Sequence, residues 1–495
     1  MRSSANAGTM NAIRHKIHRL DTAAPLTVLD LFAGCGGLSL GFQRAGCRIM
    51  GGIELDPKAV NTLDMNFASR ATTRAAGSHL IPSDITMVPP DAFHREMIPQ
   101  LNPSTAIDVI IGGPPCQAFA RIGRAKLREI MQHPKAFLED IRASLYLNFL
   151  EYVEFFSPLA VVMENVQDIM NFGGTNVAEE IASSLEDLGY VARYTVLNSV
   201  HYGVPQMRQR FFLLAFNTEL GVEPSFPAPT NSHRLPPGYE NAFQVALSTI
   251  DIFTYQKAKF VPPPQPYPSS PPAVTAEEAL RDLPPLTAHL NGSAQRGARA
   301  FDTLIPYRSD VTPSPFALQM RTWPGFESDQ GVRDHVTRHL PRDYKIFARM
   351  HPGDQYPQAY RLANEMLKEA LDAMASKRGR PVPVRSAQYK RLKKEYLPPY
   401  DPDKFPNKWR KMEADAPTRT LTAHIGKDTY SHIHYDSAQA RVISVREAAR
   451  LQSFPDGFVF AGPMNDAFRQ IGNAVPPLLS YAVAKQIASL LKPIE

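Results

Sequence analysis

Cysteine is scarce in this 495-residue chain, with three in all: Cys35, Cys47 and Cys116. Three widely spaced thiols make neither a disulfide framework nor a zinc site, so they are expected to be reduced, and no metal is expected. Long apolar runs are missing as well. No uninterrupted stretch reaches membrane-spanning length, and Arg14, His15, Lys16 and Arg19 near the start are not followed by an apolar core. Neither a membrane partner nor a secretory leader is expected, and the cytoplasm is the expected compartment.

What is present is ordinary for a globular protein, 43% hydrophobic and 21% charged, in a chain too long for a single core. Charge is unevenly spread. The whole chain carries a formal +6, yet Lys377 to Lys411 alone holds twelve Lys or Arg against Glu395, Asp401 and Asp403, a local excess of nine. Such a block suits a polyanion; an arbitrary charge run is more often a solvated face.

Residues 1–24 show no clear period and read as a loose leader. An apolar strand, Leu26 to Phe32, then runs into Ala33-Gly34-Cys35-Gly36-Gly37 and a helical pattern from Leu38. Strand, glycine turn and helix in that order open a nucleotide-binding βα unit. A second strand ends on Glu54, about twenty residues later, where an acid is placed to bind ribose hydroxyls. A third strand edge ends at Asp84, and a fourth runs through Ile110 and Ile111 into Gly112-Gly113-Pro114-Pro115-Cys116-Gln117. That loop presents one thiol on a stiffened turn, although a lone cysteine is as often a small buried apolar residue. Leu159 to Met163 is another buried strand, stopping at Glu164-Asn165-Val166. Strands alternating with helices to about residue 220 imply a largely parallel sheet with helices on both faces. Prolines from Pro262 to Pro272 mark an irregular connection into a basic, aromatic-sprinkled region, and order returns near Ser444.

These segments together resemble the DNA (cytosine-5)-methyltransferases. Asp30 to Gly37 is similar to the family's first motif, Pro114-Pro115-Cys116-Gln117 to its nucleophile motif, and Glu164-Asn165-Val166 to its acid motif. Gln206 to Arg210 resembles its Gln-x-Arg-x-Arg motif, and Arg446 to Gln452 with Gln470 to Asn473 resembles the last two. Six motifs stand in family order. The family usually has serine where this chain has Ala120.

The resemblance implies a Rossmann-like S-adenosylmethionine-dependent sheet plus a smaller irregular target-recognition domain. The expected divisions are leader 1–24, catalytic domain 25–220, recognition domain 221–422 and a returning segment 423–495. Cytosine C5 is too weak a nucleophile to take a methyl group until a thiolate adds to C6. Cys116 would be that thiolate, Glu164 the acid acting at N3, Arg210 the holder of O2, with Arg208, Gln117 and Asn165 supporting. S-adenosylmethionine would lie over Phe32, Gly34, Gly36, Gly37 and Leu38, with Glu54 and Leu55 at its ribose and adenine. Asp84 and Ile85 would stand near the adenine amine, and Pro115 and Asn473 would close the site; S-adenosylhomocysteine would leave, and no metal is required. Double-stranded DNA would be met by Arg121 and Arg124 on the mobile-looking loop, and by Lys390, Arg391, Lys393, Lys394, Thr420 and Leu421 in the recognition region. A monomer with a cognate restriction endonuclease or phage-defence proteins as partners fits a bacterial enzyme of this kind. Two other readings are an RNA cytosine-5 methyltransferase, whose recognition region is short, and a catalytically silent DNA-binding subunit, which would be expected to lose Cys116 or Glu164.

Overall fold

The structure is a computed structural model that describes residues 2–21, 24–67, 80–115, 144–171, 176–239, 259–292, 303–427 and 429–491. Cys116, Gln117, Arg121 and Arg124 lie outside the described residues. Two compact units divide the chain: Met1–Ala273 with Ala474–Glu495, and Val274–Asn473. The divisions differ from those expected at 220 and 422, because residues 221–273 group with the first unit and 423–473 with the second.

The first unit is built on a seven-stranded sheet. Its strands are β1 (Thr27–Leu31), β2 (Arg48–Glu54), β3 (Leu80–Pro82), β4 (Val109–Gly112), β5 (Ala160–Asn165), β6 (Tyr190–Asn198) and β7 (Gln209–Asn217), in the spatial order β3-β2-β1-β4-β5-β7-β6. The β1–β2, β2–β3, β1–β4 and β4–β5 pairs are parallel, whereas β7 runs antiparallel to both β5 and β6. Sequence period explains why both faces are covered. Leu29, Ile110, Val161, Met163, Phe211 and Leu213 enter one core, while their alternates Val28, Val109, Ile111, Val162, Phe212 and Leu214 enter the other. The second core is closed by helix α2 (Gly37–Arg44) and by the C-terminal helix Pro477–Leu491, through Phe42, Leu479, Val483 and Ile487. This mixed, parallel-dominated α/β sheet is the expected fold class.

Two expectations need correction. Residues 2–21 form a helix, α1, rather than a loose leader. It is tied down by Lys16, whose Nζ donates to the carbonyls of Ile107, Phe156 and Ser157 at 2.7, 2.9 and 2.8 Å, and by an Arg19–Asp108 ion pair. Burial pulls the Lys16 ammonium down to about 7, with Asp108 opposing. The stretch Met464–Leu491 also has the length and mean hydropathy, 1.2, of a membrane span. It is two helices interrupted at Ala474–Pro476, and 61% of the apolar window is buried inside the protein.

The other correction concerns the second unit, where the stretch expected to be irregular holds ordered helices. A 23-residue helix, Tyr356–Arg378, packs against Ala387–Tyr396; its apolar Tyr356, Ala359, Ala363, Met366 and Leu367 recur at helical spacing along one stripe. Aromatics that sequence position left undecided are core: Trp409 stacks on Tyr430 with centroids 4.7 Å apart and meets Phe347 and Tyr356 edge-on or tilted. The helix Val445–Leu451 is buried along its whole length. Its charges are matched inside the unit, Glu447 to Arg441 at 2.6 Å, Arg450 to Asp282 at 2.8 Å and to Asp456 at 2.6 Å, and Arg446 to Asp334 at 3.2 Å. The Arg-Glu-x-x-Arg motif is thus the internal frame of this unit.

Replacing Lys16 with Met strands three carbonyls that now share one ammonium. The variant should lose at least about 3 kcal/mol of stability, read as a lower urea midpoint with an unchanged slope.

Candidate active site

In an open parallel sheet the carboxyl ends of neighbouring strands share one edge, and residues distant in sequence meet there. Here that edge carries Leu31, Glu54, Pro82, Gly112 and Asn165, and because β7 runs the other way, its first residues Gln209 and Arg210 stand at the same edge. The strand order reverses direction between β1 and β4, the usual place for a ligand crevice. The backbones are close at this point: a Cβ on Gly112 would sit 2.3 Å from the Leu31 carbonyl oxygen.

The turn after β1 is shaped for backbone exposure. Phe32, Gly34 and Gly36 all have positive φ, and Gly36 starts α2; a side chain at Gly36 would strike Leu63 and Phe67 of α3 (Pro57–Phe67). Gly37 packs on the returning chain, where an added Cβ would lie 2.3 Å from the Val475 carbonyl oxygen. Glu54 ties the turn to β2, accepting from the Gly34 N–H through Oε2 and from the Asp56 N–H through Oε1, each at 2.8 Å. Burial raises its pKa, and these backbone hydrogen bonds oppose the rise. Asp30 sits behind the turn, buried, with Oδ2 accepting from the Ser39 hydroxyl at 2.6 Å; burial pushes it up to about 7. Nothing in the sequence reading singled out Asp30 beyond its place in the motif.

The remaining cofactor candidates differ in exposure. Leu38 and Ile85 are buried, Phe32 is half-buried, and Leu55 is 66% exposed at the end of β2. Asp84 caps the short helix Ile85–Met87, its Oδ1 accepting from the Thr86 N–H and hydroxyl at 3.0 and 2.8 Å. Asn473 is exposed and ends the helix Met464–Asn473, one residue before the Ala474–Val475 backbone that packs on Gly37.

The donor set suits a nucleoside cofactor on physical grounds. A carboxylate offers about four acceptor positions, so two backbone contacts leave Glu54 with capacity for ribose hydroxyls. Space beside the turn is open too, because a Cβ at Gly34 would meet nothing within 4 Å.

A second constellation stands at the ends of β4, β5 and β7. Glu164 and Arg210 lie on one sheet face as diagonal neighbours, since Glu164 pairs with Phe212 across β5 and β7. Arg210 Nε meets Glu164 Oε1 at 2.9 Å, and both side chains are largely buried. Arg208 is fully buried close by. Burial raises the Glu164 pKa, while the Arg210 and Arg208 guanidinium groups pull it back. Next to Glu164, the Asn165 Nδ2 donates to the Pro114 carbonyl at 2.8 Å, holding the Gly-Gly-Pro-Pro turn against β5. Pro115, at its end, is exposed. The other thiols are poor nucleophiles: burial pushes Cys47 up to about 12 and Cys35 higher still.

In the second unit, Lys390, Arg391, Lys393 and Lys394 are exposed on the helix Ala387–Tyr396, and Thr420 is half-buried. Leu421 is wholly buried, so its side chain belongs to the core and not to a DNA-facing surface. Lys411, part of the basic block, is also buried, donating to the Phe347 carbonyl at 2.7 Å and to Ser437 at 2.8 Å, and burial lowers it to about 8.

One contact was invisible in the sequence. A Cβ on Gly113 would lie 2.9 Å from Glu164 Oε2. Gly113→Ala should therefore push the carboxylate off its Arg210 contact and slow turnover by at least about tenfold, with the circular dichroism spectrum unchanged; an unaffected rate would show that Glu164 has room to give.

Comparison with known proteins covers nearly the whole chain. Residues 26–285 and 286–489 match the family model described as C-5 cytosine-specific DNA methylase. A relative in Oceanobacillus iheyensis, named "Putative type II methyltransferase M.OihORF3336P", is 36% identical over 92% of this chain and 94% of its own length. The type II methyltransferase M.AgeI of Thalassovita gelatinovora is 29% identical over 93% of this chain and 99% of its own. Among solved structures, a prophage-encoded Escherichia coli protein described as a putative DNA modification methyltransferase superposes with a TM-score of 0.57 at 21% identity, covering 94% of this chain and 100% of its own.

Proposed function

This chain belongs to the C-5 cytosine-specific DNA methylases, S-adenosylmethionine-dependent enzymes that act on DNA, and on that premise we propose that it methylates a cytosine in a specific double-stranded sequence through base flipping and a covalent bond from Cys116 to C6. The observation that carries the proposal is the buried Glu164–Arg210 pair beside the turn that leads to Cys116.

The target atoms are stacked inside a duplex, so the base must first leave it. In the pocket, Arg210 holds the cytosine O2 and a protonated Glu164 donates to N3. Burial raises the carboxyl pKa and so favours uptake of that proton, against the pull of Arg210 and Arg208, which the incoming base must draw away from the carboxylate. Cys116 thiolate then adds to C6, and the displaced π electrons make C5 an enamine carbon. Phe32, Gly34, Gly36, Gly37, Leu38, Glu54, Leu55, Asp84, Ile85, Pro115 and Asn473 would hold S-adenosylmethionine, which would supply an electrophilic methyl group and leave as S-adenosylhomocysteine, the sulfur keeping the C–S electron pair. C5 takes that methyl, a base removes the C5 proton, and the returning electron pair expels Cys116 and leaves 5-methylcytosine. Arg208 adds positive charge behind Glu164 and Arg210, Gln117 stands beside the nucleophile, and Asn165 holds the Pro114–Pro115 turn in place. Arg121 and Arg124 are assigned to phosphates by their place in the basic stretch after the nucleophile motif, and the basic second unit to the DNA backbone. The 200-residue length of that unit supports DNA rather than RNA as the substrate. A monomer in the bacterial cytoplasm, associated with the nucleoid and accompanied by a cognate endonuclease or defence proteins, completes this reading.

Cys116→Ser should abolish transfer of labelled methyl groups to DNA while leaving DNA binding measurable, and Glu164→Gln should slow the single-turnover rate by about 100-fold or more. Full activity in the first variant would reject the covalent route, and an unchanged rate in the second would remove the acid's role. Neutralising Lys390, Arg391, Lys393 and Lys394 together should weaken binding and reduce the salt slope by about three to four, whereas an unchanged slope would return them to a solvated face.

A further inference from the structure

The strongest charge feature of the second unit has no part in that chemistry. Residues 373–394 hold eight Lys or Arg and no Asp or Glu, and all eight cations are exposed. Four of them, Lys377, Arg378, Arg380 and Arg385, crowd the tip joining the helices Tyr356–Arg378 and Ala387–Tyr396. The tip reads Arg378-Gly379-Arg380-Pro381-Val382-Pro383-Val384-Arg385. Gly379 ends the first helix with φ 67°, and a Cβ there would meet nothing within 4 Å. Pro381 and Pro383 disfavour helical backbone at Arg380 and Val382, residues 379–386 form no helix or strand, and Val384 is 68% exposed. A hydrogen bond from Arg378 to Gln388 Oε1 closes the base of the tip, and Ser386 caps the helix that follows.

We infer that this tip enters the minor groove of A·T-rich duplex DNA, with Arg378 and Arg380 on the groove floor and the exposed cations of the next helix on the flanking phosphates. The inference rests on DNA being the substrate and is independent of the chemistry at Cys116. A helix is too broad for a minor groove about 6 Å wide, but Arg378 is the last residue of its helix, and the Gly379 turn leads Arg380 into a proline-punctuated, helix-free segment narrow enough to descend. Narrow A·T tracts concentrate negative potential and draw arginine in. Their floor offers acceptors alone, whereas a G·C pair projects an amino group into the same space. Guanidinium forks reach such acceptors with several donors at once, which the adjacent lysines cannot do. Eight cations without an acid also mean that no carboxylate in this stretch opposes the approach. The segment therefore selects an A·T-rich neighbourhood around the methylated site rather than the site itself.

The test uses the full chain and two duplexes of about 30 base pairs, one an A·T tract and one alternating G·C, read by fluorescence anisotropy. Wild type should bind the A·T duplex at least about fivefold more tightly, and netropsin, a minor-groove ligand, should erase that difference. Arg378→Gln combined with Arg380→Gln should bind both duplexes equally, while neutralising Lys390, Arg391, Lys393 and Lys394 should weaken both and preserve the ratio. Equal wild-type affinities, or a preference that survives the paired arginine substitution, would overturn the inference. Transfer of labelled methyl groups to unmethylated DNA is measured on the same preparations. Transfer without an A·T preference rejects the groove contact alone, and preference without transfer rejects the assigned reaction alone.

Discussion

A carboxylate and a guanidinium withdrawn from water together, Glu164 and Arg210, are the constraint on which the rest of this enzyme depends. Two ions at a strand edge are costly to bury, and the cost is offset only if each has the other and the geometry is good. The antiparallel β5–β7 pair meets that requirement by placing both on one face as diagonal neighbours. Arg208, buried beside them, leaves the cluster with more positive than negative charge. In the proposed reaction, a pocket of that sign would stabilise negative charge as it grows on the pyrimidine ring, with groups already fixed in place.

The other parts follow from that edge. Parallel strands β1, β2, β4 and β5 bring a glycine turn, Glu54 and the Gly-Gly-Pro-Pro turn to one edge of the sheet, and the reversed β7 adds Arg210 to the same edge. Glycine is required where backbones or carboxylates crowd: Gly112 lies against the Leu31 carbonyl, and Gly113 against Glu164. Asn165 then fastens the turn to the strand that carries the acid, so the acid and the approach to Cys116 share one rigid support. The second unit frames itself differently, on buried Arg441–Glu447, Arg446–Asp334 and Arg450–Asp282–Asp456 pairs, and presents the eight cations of residues 377–394 to solvent.

The sheet and its strand-end residues were legible in the sequence because buried parallel strands read as β-branched runs stopped by glycine or an acid, as at Ile111-Gly112 and Met163-Glu164. Features that depend on tertiary partners were not. Helix α1 shows no apolar period because one of its buried anchors is a lysine, Lys16, whose partners are carbonyls more than ninety residues away. Trp409 and Tyr356 look like surface aromatics in a basic region, yet they pack on each other inside the second unit. Lys411 counts in the basic block by sequence, and Leu421 was placed facing DNA through the Thr-Leu pair of the family it resembles, yet both are buried. The closeness of Gly113 to Glu164 joins strands fifty residues apart, and no local pattern records it.

The claim that this edge activates cytosine for attack by Cys116 is tested most directly by trapping the addition. Fluorine at C5 takes the place of the proton that must leave, so elimination stops and the thioether persists. A long unmethylated DNA fragment carrying 5-fluorocytosine, incubated with the enzyme and S-adenosylmethionine, is predicted to give a denaturation-resistant complex whose digest places the nucleotide on Cys116. A complex on another residue, or none from an enzyme that methylates the unmodified fragment, would contradict the account.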